Sequence, residues 1–302
     1  MSNRLTQNSS NQRDARRARP VPSSLLNWLG VLPFFLFIFL FVFLPSFSLV
    51  SGSFQDRQGN FTFQNYLDLF SPSILSAYWV TIRISLASAV GGGILGFFMA
   101  YAVTLGGLPK GLRNALLTFS GVASNFAGVP LAFAFIATLG RTGMVTVLLK
   151  MAGFDLYDRG FSLYSFWGLT LTYLYFQFPL MILIITPALD GLKREWREAA
   201  ENLGASSWTY WRRVALPVLT PSILGAMILL FGNAFGAYAT ALSLTGGFIN
   251  LITILIGSQI KGDVLQNTGL GYALAIGMVI VMAGAITIYY FLRRRSERWL
   301  RV

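Results

Sequence analysis

EWREAAENLGASSWTYWRRVALP, residues 195–217, is a charged island between two long apolar runs. Glu195, Arg197, Glu198, Glu201, Arg212 and Arg213 stand out because the 302-residue chain is 55% hydrophobic and only 11% charged, against roughly 25% charged in an average soluble domain. Such an island fits an ordinary loop, a helix pair lying on a membrane, or a docking element for a soluble partner. What surrounds it narrows the choice.

Its surroundings are apolar runs that exceed the roughly 18 residues marking a membrane span: residues 27–50, 73–105, 114–139, 161–189, 217–244 and 269–292. The expected fold class is an all-α integral membrane protein with six transmembrane helices. Residues 1–26 read as a basic tail and 27–302 as the transmembrane domain. The first run contains LPFFLFIFLFVFLP (32–45), longer than the roughly 7 to 15 apolar residues of a signal peptide. Although SLVSGS (48–53) resembles a cleavage site, the run reads as a retained span. Arg83 interrupts the second run near one end, where a long side chain can snorkel to the interface. ITILIGSQI (252–260) is too short to span and reads as an interfacial or re-entrant piece. MVTVLLKMAG (144–153) reads as a short surface helix.

The net charge of +12 acquires a meaning once the basic residues are sorted by side. Seventeen lie at one set of span ends: the tail before Pro20, Lys110 and Arg113, the stretch from Lys193 to Arg213, and the segment after Leu292. Five lie at the other: Arg57, Arg141, Lys150, Arg159 and Lys261. Positive loops stay inside, so both termini are expected in the cytoplasm. Orientation accounts for the charge, and no nucleic-acid partner is implied. The chain has no cysteine and no histidine, which excludes disulfides, a thiol nucleophile and imidazole chemistry or metal ligation. It has no GxxxxGK[ST] phosphate loop. No catalytic residue, metal site or bound cofactor is expected, and energy must come from another polypeptide.

The same sorting places residues 191–216 in the cytoplasm as its longest loop. Leu192, Trp196, Ala199 and Leu203 fall on one helix face, with Glu195, Glu198 and Glu201 on another. Gly204 suits the end of that helix, and Ser206 or Ser207 can cap a second one, in which Trp208, Trp211 and Ala215 share a face until Pro217 opens the fifth span. An acidic middle disfavours burial against an anionic leaflet, and Ala199 and Ala200 suit close approach to a protein.

Glu198, Ala199 and Ala200, then Gly204, Val214, Leu216 and Pro217 at fixed offsets, resemble the EAA loop of permease subunits of binding-protein-dependent ABC importers, over roughly residues 81–291. Val214 stands where isoleucine is frequent. The resemblance implies a type I importer permease whose loop docks in a cytoplasmic ATPase dimer through Glu198, Ala199, Ala200, Gly204, Leu216 and Pro217. It also implies ATP hydrolysed by that partner, a second permease subunit of different sequence, and an extracytoplasmic solute-binding protein. FGAYATALSLTGG (235–247) is similar to the matching stretch in the polyamine, ferric iron and opine branch.

A path through the bundle needs polar groups inside it. Asn125, Gln177, Asn233 and Tyr238 are the candidates, although for each taken alone a structural interhelical hydrogen bond is the more ordinary role. Pro130 and Pro179 lie within spans, where they can kink a helix or open a gate. The alternative, a self-sufficient secondary transporter or channel, would show an ionisable residue at mid-depth or an inverted repeat. Neither is evident.

Overall fold

The computed structural model describes residues 23–261 and 267–297. Most of the expected basic tail, residues 1–22, therefore lies outside the described residues, as do Arg298 and Arg301. Residues 1–51 and 52–302 form two units. In the first, helix α1 (Ser23–Ile38) and helix α2 (Leu44–Ser53, whose last two residues fall in the second unit) are joined by a five-residue π turn, Phe39–Phe43. Gly30–Ser53 is the first of six helical stretches long and apolar enough to cross a membrane.

The second unit begins with α3 (Gln64–Asp68), α4 (Pro72–Leu105), α5 (Lys110–Asn125), α6 (Val129–Leu139), α7 (Met144–Met151) and α8 (Phe166–Asp190). It continues through α9 (Arg194–Asn202), α10 (Ser207–Tyr210), a second π turn (Trp211–Ala215), α11 (Leu216–Phe235), α12 (Tyr238–Thr245), α13 (Ile252–Lys261) and α14 (Thr268–Glu297). Among the described residues the one β contact is an isolated antiparallel bridge between Gln55 and Phe61.

Helix α8 is central, with α4, α5 and α11 packed on it. Small residues set the approach of α4 to α8: a Cβ added at Gly92 would lie 2.5 Å from the Gln177 Cβ, and one at Gly96 would lie 2.5 Å from the Met181 Cβ. Without a hydrophobic driving force in lipid, such close packing is what associates spans. Met181, Ile185, Leu219 and Leu230 fill the seam on the α11 side, and Leu131, Tyr173, Phe176 and Leu244 fill the other.

Both π turns have the same cause. Each ends two residues before a proline, Pro45 and Pro217. A proline inside a helix has no N–H to give and its ring presses on the carbonyl four residues back. Widening the preceding turn relieves the clash: the Leu44 N–H donates to the Phe39 carbonyl and the Leu216 N–H to the Trp211 carbonyl, five residues back in each case. The helix therefore runs on through Pro217 as one stretch, Ser207–Phe235, instead of starting afresh there as the spacing implies.

Two expected spans are broken. Residues 114–139 divide at Phe126–Gly128, because Gly128 takes φ +75° and Pro130 sits in the first turn of α6. The third apolar stretch, Val129–Met151, accordingly takes in α6 and α7 and begins later than the sequence suggests. Residues 217–244 divide at Gly236 and Ala237, between α11 and α12. Pro179, by contrast, lies inside α8 without interrupting it.

Candidate functional site

Two sites emerge, one in the loop beyond α8 and one within the bundle. The first is the charged loop. Helix α9 closes in a Schellman turn: the Ala205 N–H donates to the Ala200 carbonyl at 2.9 Å and the Gly204 N–H to the Glu201 carbonyl at 2.9 Å, with Gly204 at φ +75°. Glycine takes this left-handed conformation without the Cβ clash other residues suffer. Ser206 then caps α10, its Oγ accepting from the Thr209 N–H at 3.3 Å. Arg194 donates to Glu198 and Arg197 to Glu201, each at 2.9 Å and four residues apart. The Glu201 carboxylate beside Arg197 raises the guanidinium pKa further above its usual range.

Nothing in α9 is buried. On either side of Gly204, Leu203 is 87% exposed and Trp208 71% exposed. Ala199 is exposed and Ala200 half-buried. The other side of the knuckle is anchored: Tyr210 is buried, and the Trp211 ring meets Tyr101 at the end of α4 edge to face, 5.2 Å between centroids. Trp208 and Trp211 thus part company, although helical spacing puts them on one face. Trp211 is the one that reaches Tyr101, and the widened turn lies beyond it, between Trp211 and Leu216. Tyr101 and Tyr210, which sequence reasoning did not single out, complete the anchor. Leu216 and Pro217 lie beyond the π turn and line a groove on the membrane side.

The second site is where the two helix breaks meet. Helix α12 packs on α6, and the Gly128 N–H donates to Thr240 Oγ1 at 2.7 Å. The Tyr173 hydroxyl donates to the Ala237 carbonyl at 2.9 Å, so each break has its freed backbone groups partly met by the neighbouring helices, as non-helical backbone at membrane depth requires. A cavity of about 360 Å³ opens there, lined by Asn233, Tyr238, Gly128 and Phe176.

The four path candidates are placed differently. Asn233 and Tyr238 share this cavity. Asn125 is exposed at the end of α5 and donates to the Gly121 carbonyl of its own helix at 2.9 Å. Gln177 is fully buried and donates across to the Leu230 carbonyl of α11 at 2.8 Å, leaving its Oε1 with no hydrogen-bond partner. Thr240, which clasps the two breaks together, carried no signal in the sequence beyond its place beside them. Among the described residues no group of carboxylates could hold a metal ion.

Residues 92–302 match the family of binding-protein-dependent transport system inner membrane components. The chain belongs to this family. It is a multi-pass permease, the non-catalytic membrane component of a binding-protein-dependent ABC importer. The permease is 27% identical to the spermidine/putrescine transport system permease protein PotB of Haemophilus influenzae over 265 residues, covering 85% of this chain and 90% of that one. It is 25% identical to the sulfate transport system permease protein CysT of Escherichia coli K12, covering 84% and 87%. In fold it is similar to a chain in the crystal structure of a bacterial ABC transporter that imports alginate, with a TM-score of 0.73, 19% identity and coverage of 90% and 96%. The likeness to PotB is consistent with the polyamine branch expected from residues 235–247.

Proposed function

We propose that this permease forms half of a translocation path with a second, different permease subunit, takes solute from an extracytoplasmic binding protein, and is driven by a cytoplasmic ATPase dimer docked on α9 and α10. Both termini face the cytoplasm of a bacterial inner membrane, as the excess of arginine and lysine at that set of span ends supports. The observation that carries the reading is the exposed pair Leu203 and Trp208 flanking Gly204, on a helix whose opposite side is tied through Trp211 to α4. Exposed apolar groups on a rigid, charged knuckle fit a protein groove, where their burial is favourable. Glu198, Ala199, Ala200 and Gly204 form the docking surface and Leu216 with Pro217 its root. A shift at the knuckle passes to α4 and α11 because tightly packed elements move as units.

Solute passes by the meeting of the two helix breaks, where Asn233 and Tyr238 line the cavity. Gln177 serves the α8 to α11 seam, and Asn125 borders the break. Purification from native membranes tests the assembly: the complex should carry an ATPase and a second permease, and uptake should stop on ATP depletion. Recovery of the chain alone, with uptake that survives depletion, would overturn the reading. Asn233→Leu should lower the solute transport rate about tenfold, the worth of one lost hydrogen bond to a polar cargo, while the melting temperature stays within about 1 °C because the side chain is exposed. An unchanged rate would remove Asn233 from the path.

A further inference from the structure

At the coupling-loop end of the bundle, Arg212 and Arg213, from the π turn, and Arg295, from the end of α14, line one groove of about 800 Å³. Among the described residues none of the three is in an ion pair with a carboxylate; the acidic residues of the neighbouring α9 are Glu195, exposed, and Glu198 and Glu201, which are paired with Arg194 and Arg197. Three like charges on one rim repel each other, so an anion there is stabilised by all of them. Below the rim the groove turns apolar. Its walls Leu224 and Leu292 also line a second cavity, of about 220 Å³, which continues between α11 and α14 past Ile288 to Phe231. Leu224 and Phe231 are seven residues apart, roughly 10 Å along the helix. The boundary between charge and hydrocarbon falls at Leu292, where α14 passes from apolar residues to Arg293, Arg294 and Arg295.

We propose that an anionic phospholipid binds here, its phosphate on Arg212, Arg213 and Arg295 and an acyl chain laid between Leu224, Ile288 and Leu292. Charge complementarity fixes the headgroup sign, and basic pockets between spans suit anionic headgroups on general electrostatic grounds. The continuous apolar floor separates this site from one for a free anion, which would have no use for it. The lipid would fasten α14 to the helix that leads out of the coupling loop.

The test uses the full-length chain purified with its accompanying subunits and stripped of lipid in detergent. Titrated with dioleoylphosphatidylglycerol, it should gain thermal stability and retain the lipid in native mass spectra, whereas dioleoylphosphatidylcholine should do neither. Each of R212Q, R213Q and R295Q should weaken phosphatidylglycerol binding about fivefold, and the triple variant should abolish selectivity. Leu292→Trp, which fills the groove and keeps every charge, should weaken retention as well. Equal response to the two lipids overturns the proposal, as does full replacement of phosphatidylglycerol by glycerol 1-phosphate, which would make this a site for a soluble anion. Unchanged lipid retention in the triple variant together with lost ATPase assembly would assign the surface to a protein partner and equally overturn it.

Discussion

Gly204→Asp is expected to cut ATP-driven uptake about 100-fold or more while the membrane helices stay assembled. Two effects add. A residue with a Cβ at φ +75° costs about 1–2 kcal/mol in a left-handed conformation. A carboxylate at the tip of the knuckle would then be carried into the dock, and an unpaired charge buried at an interface costs about 3 kcal/mol or more. Since every 1.4 kcal/mol is tenfold, loss of docking follows. Among the described residues nothing lies within 4 Å of a Cβ added there, and α9 buries none of its residues, so no clash adds to the backbone cost and the melting temperature should fall by no more than roughly 2–8 °C. Gly204→Ala separates the two effects, because it carries the backbone cost without the charge and should reduce uptake only about tenfold. Uptake assays in vesicles with ATPase pull-down measure both variants. Normal ATPase retention and uptake in Gly204→Asp would remove this loop from the coupling role.

The helices and the knuckle were legible in the sequence because each rests on local chemistry. Gly204 announces a C-terminal cap, Ser206 an N-terminal one, and runs without charge announce spans. The breaks were harder. Residues 114–139 and 217–244 carry no charged residue, and hydropathy cannot distinguish a helix that continues from one that stops and restarts at depth. The signals were present as Gly128 beside Pro130 and as Gly236, but glycine and proline are also frequent in unbroken spans, and Pro179 inside α8 is such a case. What decides is whether a neighbour can satisfy the freed backbone groups. At the breaks Thr240 and Tyr173 do so, from 112 and 64 residues away in sequence. The π turns show the converse: Pro45 and Pro217 were visible, and a rule linking proline to a widened preceding turn would have carried the helix through Pro217 instead of starting it there. The clustering of Asn233 with Tyr238, and the separation of Gln177 from both, depends on the same long-range packing.

Gly96→Leu is expected to open the α4 to α8 seam and lower the melting temperature of the purified permease by roughly 6–12 °C, on the order of 3 kcal/mol at about 2–4 °C per kcal/mol. A Cβ at this position would stand 2.5 Å from both the Met181 Cβ and the Phe178 carbonyl oxygen. The second of these is backbone and has no rotamer by which to move aside. The helices must therefore separate, and dispersion contacts fall off steeply with even a small gap, so the loss extends along the seam to Ile185 and Ala89. Gly284→Leu is the matched control: it is also a glycine within a span, but among the described residues nothing lies within 4 Å of its added Cβ, and its melting temperature should match wild type. A wild-type melting temperature in Gly96→Leu would mean that the seam can yield without cost. Uptake should fall with Gly96→Leu as well, for a mechanical reason. Tyr101, the residue against which Trp211 anchors the coupling loop, lies five residues further along the same helix. Displacing α4 from α8 displaces that anchor, so one added side chain in the middle of the bundle should loosen the knuckle at its end.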